Sequence, residues 1–342
     1  MHALVTGGSG YFGSLLLRKL RAQGNSCAVL DISDAEDRPA DVGFFQADIR
    51  DYESVEKALT RADVVFHNVA QVPLAKDRQL FDSVNVEGTD NLARAALAQG
   101  VKKVVYTSSS AVFGAPKVNP VTEETAATPA EAYGRAKLEG EKVCQEYVAQ
   151  GLDVSIIRPR TILGHGRLGI FQILFEWIYQ GYNVPVLGSG NNVYQFVHAD
   201  DLAEACILAA GRPGTAIYNC GADRFGSMRE ALEHLCAHAE TGSKVRSVPM
   251  GLAAAGMRLS GAIGVSPLGP YHALMYGRSL YFDSTKAKTE LGWAPRYSNN
   301  EMLVESYGWY LKNREAVQRS HGASHHRSAV KQGILKLARH LW

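Results

Sequence analysis

The opening segment restricts the fold more than any other part of the chain. His2-Ala3-Leu4-Val5-Thr6 is a short apolar run of the kind that forms a strand buried on both faces. Gly7-Gly8-Ser9-Gly10-Tyr11-Phe12-Gly13 follows, and then Leu15, Leu16, Leu17 and Leu20 mark a helix. Gly7, Gly10 and Gly13 have the spacing G-x-x-G-x-x-G. A glycine turn between a buried strand and a helix lets backbone N–H groups approach a pyrophosphate, and the helix N-terminus adds positive potential there. Cys27-Ala28-Val29-Leu30 reads as the second strand and ends at Asp31. That acid lies about twenty residues beyond the glycines, where a carboxylate binds the adenosine ribose hydroxyls. It would repel a 2′-phosphate, and Ile32-Ser33-Asp34 brings no arginine. NAD is therefore expected over NADP.

Tyr133-Gly134-Arg135-Ala136-Lys137 places a tyrosine and a lysine four residues apart, one turn apart on the same helix face. A phenol ordinarily titrates near pH 10 and is a poor proton acceptor at neutrality. The lysine charge is expected to favour the phenolate and bring Tyr133 towards the working range of a general base.

Together these motifs resemble the extended short-chain dehydrogenases/reductases, in the NAD-dependent epimerase/dehydratase family, over most of the chain to about residue 315. The resemblance implies an α/β fold: a Rossmann-type, doubly wound parallel sheet with a smaller, partly helical C-terminal substrate lobe. It implies cofactor contacts from Gly7, Gly10, Tyr11, Phe12, Gly13, Asp31, Asp48, Ile49, Val69, Asn85, Lys137 and Pro159. Aligning Val112-Phe113-Gly114 with the family's V-Y-G makes Ser109 the catalytic serine beside Tyr133 and Lys137, with Ser108 and Ser110 as the neighbouring alternatives. Asp283 to Pro295 matches a family C-terminal signature. A homodimer is the expected assembly.

The alternation of strand and helix patterns through residue 160 fits a parallel sheet. Residues 1–160 are read as the NAD-binding domain, with 194–215 and about 276–283 returning to it. Residues 161–193, 216–275 and 284–315 are assigned to the substrate lobe, and 316–342 to a basic tail. Within the lobe, Gly251 to Gly264 is rich in Ala, Leu, Met and Gly and fits an apolar lid or a core helix.

The chain has 342 residues, 46% hydrophobic and 20% charged, as an ordinary globular enzyme has. Its five cysteines lack C-x-x-C spacing, so neither a disulfide framework nor a metal site is expected. Met1 leads quickly into the first strand, so no secretory leader is read and a cytoplasmic location is expected. No nucleic-acid partner is expected. The net charge is +2, but from Lys312 onward seven Lys/Arg face one acid, which leaves −4 on the rest. After a linker containing His321, His325 and His326, Val330, Ile334, Leu337, Leu341 and Trp342 recur at helical spacing among basic residues. Residues 328–342 fit a peripheral membrane contact, a partner contact or a free tail.

Removal of hydride from a secondary alcohol is the reaction the resemblance implies, with Tyr133 taking the hydroxyl proton and Ser109 holding the oxygen. Dehydratases of the family carry Asp-Glu where this chain has Ser110-Ala111, which argues against elimination. A sugar or sugar-nucleotide epimerase is the leading reading. A dehydrogenase resembling the 3β-hydroxysteroid enzymes, acting on a sterol- or hopanoid-type lipid or another alcohol, is the alternative, and a non-catalytic NAD-sensing protein is the third. Substrate contacts are expected from Thr161, Phe171 and Tyr194. Thr161 replaces a family asparagine, and Tyr194-Gln195 replaces an Arg-Asp pair whose arginine clamps phosphate. Arg167, Arg278 and Arg296 are the candidates to substitute for it.

Overall fold

The computed structural model describes residues 1–71, 79–251 and 277–319. Most of the Gly251–Gly264 stretch, the three histidines of the linker and the basic 328–342 segment lie outside the described residues. Among the described residues no helix is long and apolar enough to cross a membrane.

Seven parallel strands form the central sheet. They are β1 (His2–Thr6), β2 (Ser26–Asp31), β3 (Gly43–Gln46), β4 (Val64–His67), β5 (Lys103–Thr107), β6 (Val154–Pro159) and the strand Ala216–Cys220. Their spatial order from one edge is β3, β2, β1, β4, β5, β6 and Ala216–Cys220. The inner strands are near-continuous runs of buried Val, Ile, Leu and Ala because helices cover both faces. On one face pack α1 (Tyr11–Ala22) and the helix Ala199–Gly211, and their apolar sides merge with Val5, Val29 and Val105. On the other, helices Tyr52–Leu59, Gly88–Ala98 and Ala132–Val148 bury Val55, Leu92 and Cys144 against Leu4, Val65 and Val104. Chain order reverses at β1, between β2 and β4, and a crevice opens there at the carboxyl ends of the strands.

Two assignments made from the sequence are corrected by this arrangement. Ala216–Cys220, expected in the substrate lobe, pairs with β6 from Ala216 opposite Ser155 to Cys220 opposite Pro159 and closes the cofactor sheet. The segment 284–315 is divided between the two cores. Helix Thr285–Leu291 and Trp293 pack on the sheet side, where Trp293 Nε1 donates to the Asp201 carbonyl at 2.7 Å. Helix Asn299–Arg319 instead packs with Phe171–Tyr179 and Met228–Ala239 around a second core containing Phe175, Leu235 and Tyr310. That helix runs through Arg319, so residues 316–319 are not a free tail. Arg314, counted with the basic tail, makes a two-pronged ion pair with Glu176 at 2.7 and 2.8 Å.

The catalytic side of the sheet is tied together by a buried ion pair. Arg158 on β6 donates from Nε and Nη2 to the Glu141 carboxylate at 2.9 and 2.5 Å, and Ser108 Oγ donates to the same carboxylate at 2.5 Å. Both ionic side chains are buried, 6% and 4% exposed. Removing one partner leaves the other charge buried without compensation, which costs about 3–5 kcal/mol. Glu141→Ala should therefore destabilise the fold by that amount in urea unfolding, and the double variant E141L/R158L should recover much of the loss. A loss below about 1 kcal/mol for the single variant would contradict the bridging role.

Candidate active site

The crevice is a cavity of about 950 Å³ that runs from the glycine turn to the ends of β5 and β6. Gly7, Gly10, Tyr11, Phe12 and Gly13 form its floor. Helix α1 lies so close to β1 that a Cβ on Gly13 would stand 2.2 Å from the Gly7 carbonyl oxygen. Gly7 itself has φ +69°, which glycine adopts at little cost. The turn therefore presents bare backbone at the start of a helix, the geometry a pyrophosphate requires.

Asp31 ends β2 at the rim of the cavity. Burial pushes its carboxyl up, while the N–H groups of Ser9 at 3.1 Å and Ile32 at 2.8 Å donate to it and oppose that shift. The nearby arginines are spoken for: Arg38 pairs with Asp34 and Arg50 with Asp48. This end, with Asp31, Asp34, Glu36, Asp37 and Asp48, suits ribose hydroxyls and adenine and not an added phosphate. Ile49, Val69 and Pro159 also line the cavity.

Asn85 does not. Its Oδ1 accepts from Gln71 N at 2.8 Å and its Nδ2 donates to Gln71 O at 3.2 Å, so it pins the loop after β4 from behind. Asn85 lies in the π-helical turn Ser83–Glu87 and is buried.

At the opposite end, helix Ala132–Val148 carries Tyr133 and Lys137. Glu131 caps it, accepting from the N–H groups of Tyr133 at 2.8 Å and Gly134 at 2.6 Å. Gly134 lets the helix press on the loop after β5, since a Cβ there would meet the Ala111 carbonyl at 2.4 Å. That approach brings Tyr133 to Ser109, and the two side chains are hydrogen-bonded. The choice among three serines resolves through their partners. Ser108 is bound to Glu141 and Ser110 accepts from Arg160 Nη1 at 2.9 Å, whereas Ser109 faces Tyr133.

The electrostatics differ from the sequence expectation. Burial pushes the Tyr133 phenol up to about 12, and the Ser109 hydrogen bond and the Arg167 charge pull it back only partly. Lys137, expected to act on Tyr133, leans instead into β5: its Nζ donates to the Thr107 carbonyl at 2.8 Å and sits 4.8 Å from the Tyr106 ring centroid. Burial lowers its ammonium to about 8. Arg167 is a cation that does act on Tyr133, and its guanidinium also lies 5.5 Å from the Tyr11 ring. Of the three arginines considered as phosphate partners, Arg167 lines the cavity; Arg296 is paired with Asp201.

Thr161 and Phe171 line the same end, but Tyr194 does not. Tyr194 is fully buried, with its hydroxyl 2.7 Å from Thr161 Oγ1, so it backs the wall and does not face the cavity. It sits in the short strand Val193–Tyr194, which pairs antiparallel with Gly226–Ser227. Arg160, between Pro159 and Thr161, also lines the cavity and was not singled out from the sequence, where an arginine just past a strand reads as surface.

A model of the NAD dependent epimerase/dehydratase family matches residues 3–221. An uncharacterized protein of Sinorhizobium fredii is 56% identical over 336 residues, covering 98% of this chain and 85% of its own length. A UDP-glucose 4-epimerase of Mycolicibacterium smegmatis is 30% identical over 332 residues, covering 91% of this chain and 98% of its own. The solved Thermus thermophilus UDP-glucose 4-epimerase complex with NAD superposes with a TM-score of 0.74 at 27% identity, covering 91% of this chain and 99% of that one.

Because a Cβ at position 13 collides with the turn, Gly13→Ala should weaken NAD binding by at least about tenfold. Asp31→Ala should narrow the preference for NAD over NADP. Fluorescence titration with both dinucleotides checks the pair, and unchanged NAD affinity in G13A would contradict the assigned cradle.

Proposed function

The chain belongs to the NAD-dependent epimerase/dehydratase family of extended short-chain dehydrogenases/reductases, and from that premise we propose that it epimerises a secondary alcohol of a sugar nucleotide. The observation that carries this reading is the hydrogen-bonded Ser109–Tyr133 pair at the end of the cavity remote from Asp31. Near-full-length similarity to a UDP-glucose 4-epimerase supports it. Bound NAD supplies a hydride acceptor that can also give the hydride back.

The protein's own groups handle the oxygen and its proton. Ser109 donates to the carbinol oxygen as it becomes a carbonyl and fixes its place. Tyr133 exchanges the hydroxyl proton, accepting it as phenolate in one half-reaction and returning it as phenol in the other. Lys137, anchored on Thr107, would hold the nicotinamide ribose. Elimination is disfavoured here: Ala111 offers no acid or base, and Ser110 is held by Arg160.

Tyr133→Phe should lower epimerisation of UDP-glucose at least about a hundredfold while NAD remains bound, since general acid–base groups contribute about 10²–10⁴. Unchanged turnover in Y133F would overturn the assignment, and release of a ketone with accumulation of NADH would make the enzyme a dehydrogenase. The pH dependence has a defined sign. The reactive base is the phenolate, so kcat/KM should rise with pH. Arg167 favours that form, so Arg167→Met should move the rise to higher pH by about 1 unit. A shift to lower pH would contradict the role given to Arg167.

A further inference from the structure

We propose that His165 is a positioning residue that clasps the loop 164–169 to the body of the protein and so holds Arg167 at the reacting end of the cavity, an inference that rests on the catalytic reading of Tyr133 above. The loop leaves the short strand Thr161–Leu163 and carries Arg167 into the cavity wall. Gly164, His165, Gly166 and Gly169 all have positive φ. For His165, at φ +45°, that conformation is costly. The one other described non-glycine residue with positive φ is Glu240, which ends the helix Met228–Ala239. Backbone strain of this kind persists only where the surrounding structure over-determines it.

The His165 side chain supplies that hold. Its Nε2 lies 2.7 Å from Asp200 Oδ2 at the start of helix Ala199–Gly211, and its Nδ1 lies 3.5 Å from Glu305 Oε1 on helix Asn299–Arg319. Gly164, beside it, donates to Ser306 Oγ at 3.2 Å. The Gly164 carbonyl accepts from the Tyr11 hydroxyl and, at 2.9 Å, from the Arg167 N–H. Tyr11 belongs to the cofactor turn, and the Arg167 guanidinium lies over its ring. The imidazole thus fastens two helices to a turn that ends on Arg167, two residues away.

His165, His198 and Glu305 come within 4.8 Å of one another, a donor set that would suit a cation, but the His198 tautomer opposes one. His198 Nδ1 accepts the Asp200 N–H at 3.2 Å, so its hydrogen sits on Nε2 and points at Glu305, 2.8 Å away. Nε2 then has no lone pair to offer a cation. The charged groups around His165 are Asp200 and Glu305, with Arg18 and Lys19 of α1; Lys19 pairs with Asp200, and the His198 ring stands 5.2 Å from that of His165. The hydrogen bond to Asp200 raises the His165 pKa above its ordinary value, against burial and Arg18. Asp200 and Glu305 are held below theirs by hydrogen bonds from His165 and His198 respectively. The doubly held imidazolium is therefore complete below about pH 6.5 and is lost as pH rises through the raised value.

A double-mutant cycle on UDP-glucose epimerisation by the NAD-loaded full chain tests the clasp, with His165→Asn, Arg167→Met and both together at about pH 6 and about pH 9. Asn adopts positive φ more readily than most residues, so H165N removes the imidazole without adding backbone strain. H165N should lower kcat/KM about three- to tenfold at the lower pH and less than about twofold at the higher, and should change R167M by less than about twofold at either. His165→Gly serves should H165N fail to fold. An unchanged kcat/KM, an equal loss at the two pH values, or losses that multiply in the double variant would overturn the proposal. Amide exchange of residues 164–169, followed by mass spectrometry, reads the clasp without turnover and at about pH 6 should be at least about tenfold faster in H165N. Unchanged exchange would overturn the proposal too. Absence of UDP-glucose turnover by the unaltered chain, beside faster exchange in H165N, would sink the sugar-nucleotide reading alone.

Discussion

The contact between α1 and the turn that follows β1, at Gly13 and Gly7, is the constraint on which the site depends. With 2.2 Å between the place of a Cβ and a carbonyl oxygen, no side chain fits. The close approach exposes a bare turn at the head of a helix, which fixes where a pyrophosphate sits. Once that end is fixed, the parallel sheet fixes the other. β4 pairs in parallel with β1, β5 with β4 and β6 with β5, so their carboxyl ends deliver Val69, Ser109 and Pro159 to the same crevice. The Ala132–Val148 helix then supplies Tyr133 and Lys137 from the side, through a glycine that lets it come close.

Charge is distributed along the cavity as unevenly as shape. Carboxylates gather at the ribose end and cations at the reacting end. The buried arginines show two outcomes of the same chemistry. Arg158, matched by Glu141, ties β6 to the catalytic helix and fixes Ser108. Arg160 instead donates to Ser110 and lies against the Tyr194 and Phe282 rings. Between them Pro159 forms part of the cofactor wall.

Legibility in the sequence followed the range of the interactions. The glycine turn, Asp31, Ser109, Tyr133 and Lys137 carry their meaning in local spacing, and the structure brings all of them to one cavity. Ala216–Cys220 was misplaced because a five-residue strand acquires its partner only after the chain has crossed the sheet through Ala199–Gly211. Asn85 and Tyr194 were read as facing ligand, yet the Asn85 side chain is hydrogen-bonded to the Gln71 backbone and the Tyr194 hydroxyl to Thr161. The lysine effect on Tyr133 was inferred from helical spacing alone, whereas burial dominates the phenol and the ammonium donates to the Thr107 carbonyl. Arg160 gave no local signal, since nothing near it in sequence tells that Tyr194 and Phe282 will enclose it.

The central claim is that one cavity removes a hydride from a sugar carbinol and returns it to the same carbon. UDP-glucose or UDP-glucuronate carrying deuterium on that carbon, incubated with the NAD-loaded protein, tests it most directly by mass and magnetic resonance analysis of the recovered sugar. The account predicts an epimer that keeps its deuterium, with reduced nicotinamide present only transiently. Deuterium lost to solvent, or recovered in released NADH beside a free ketone, would contradict it.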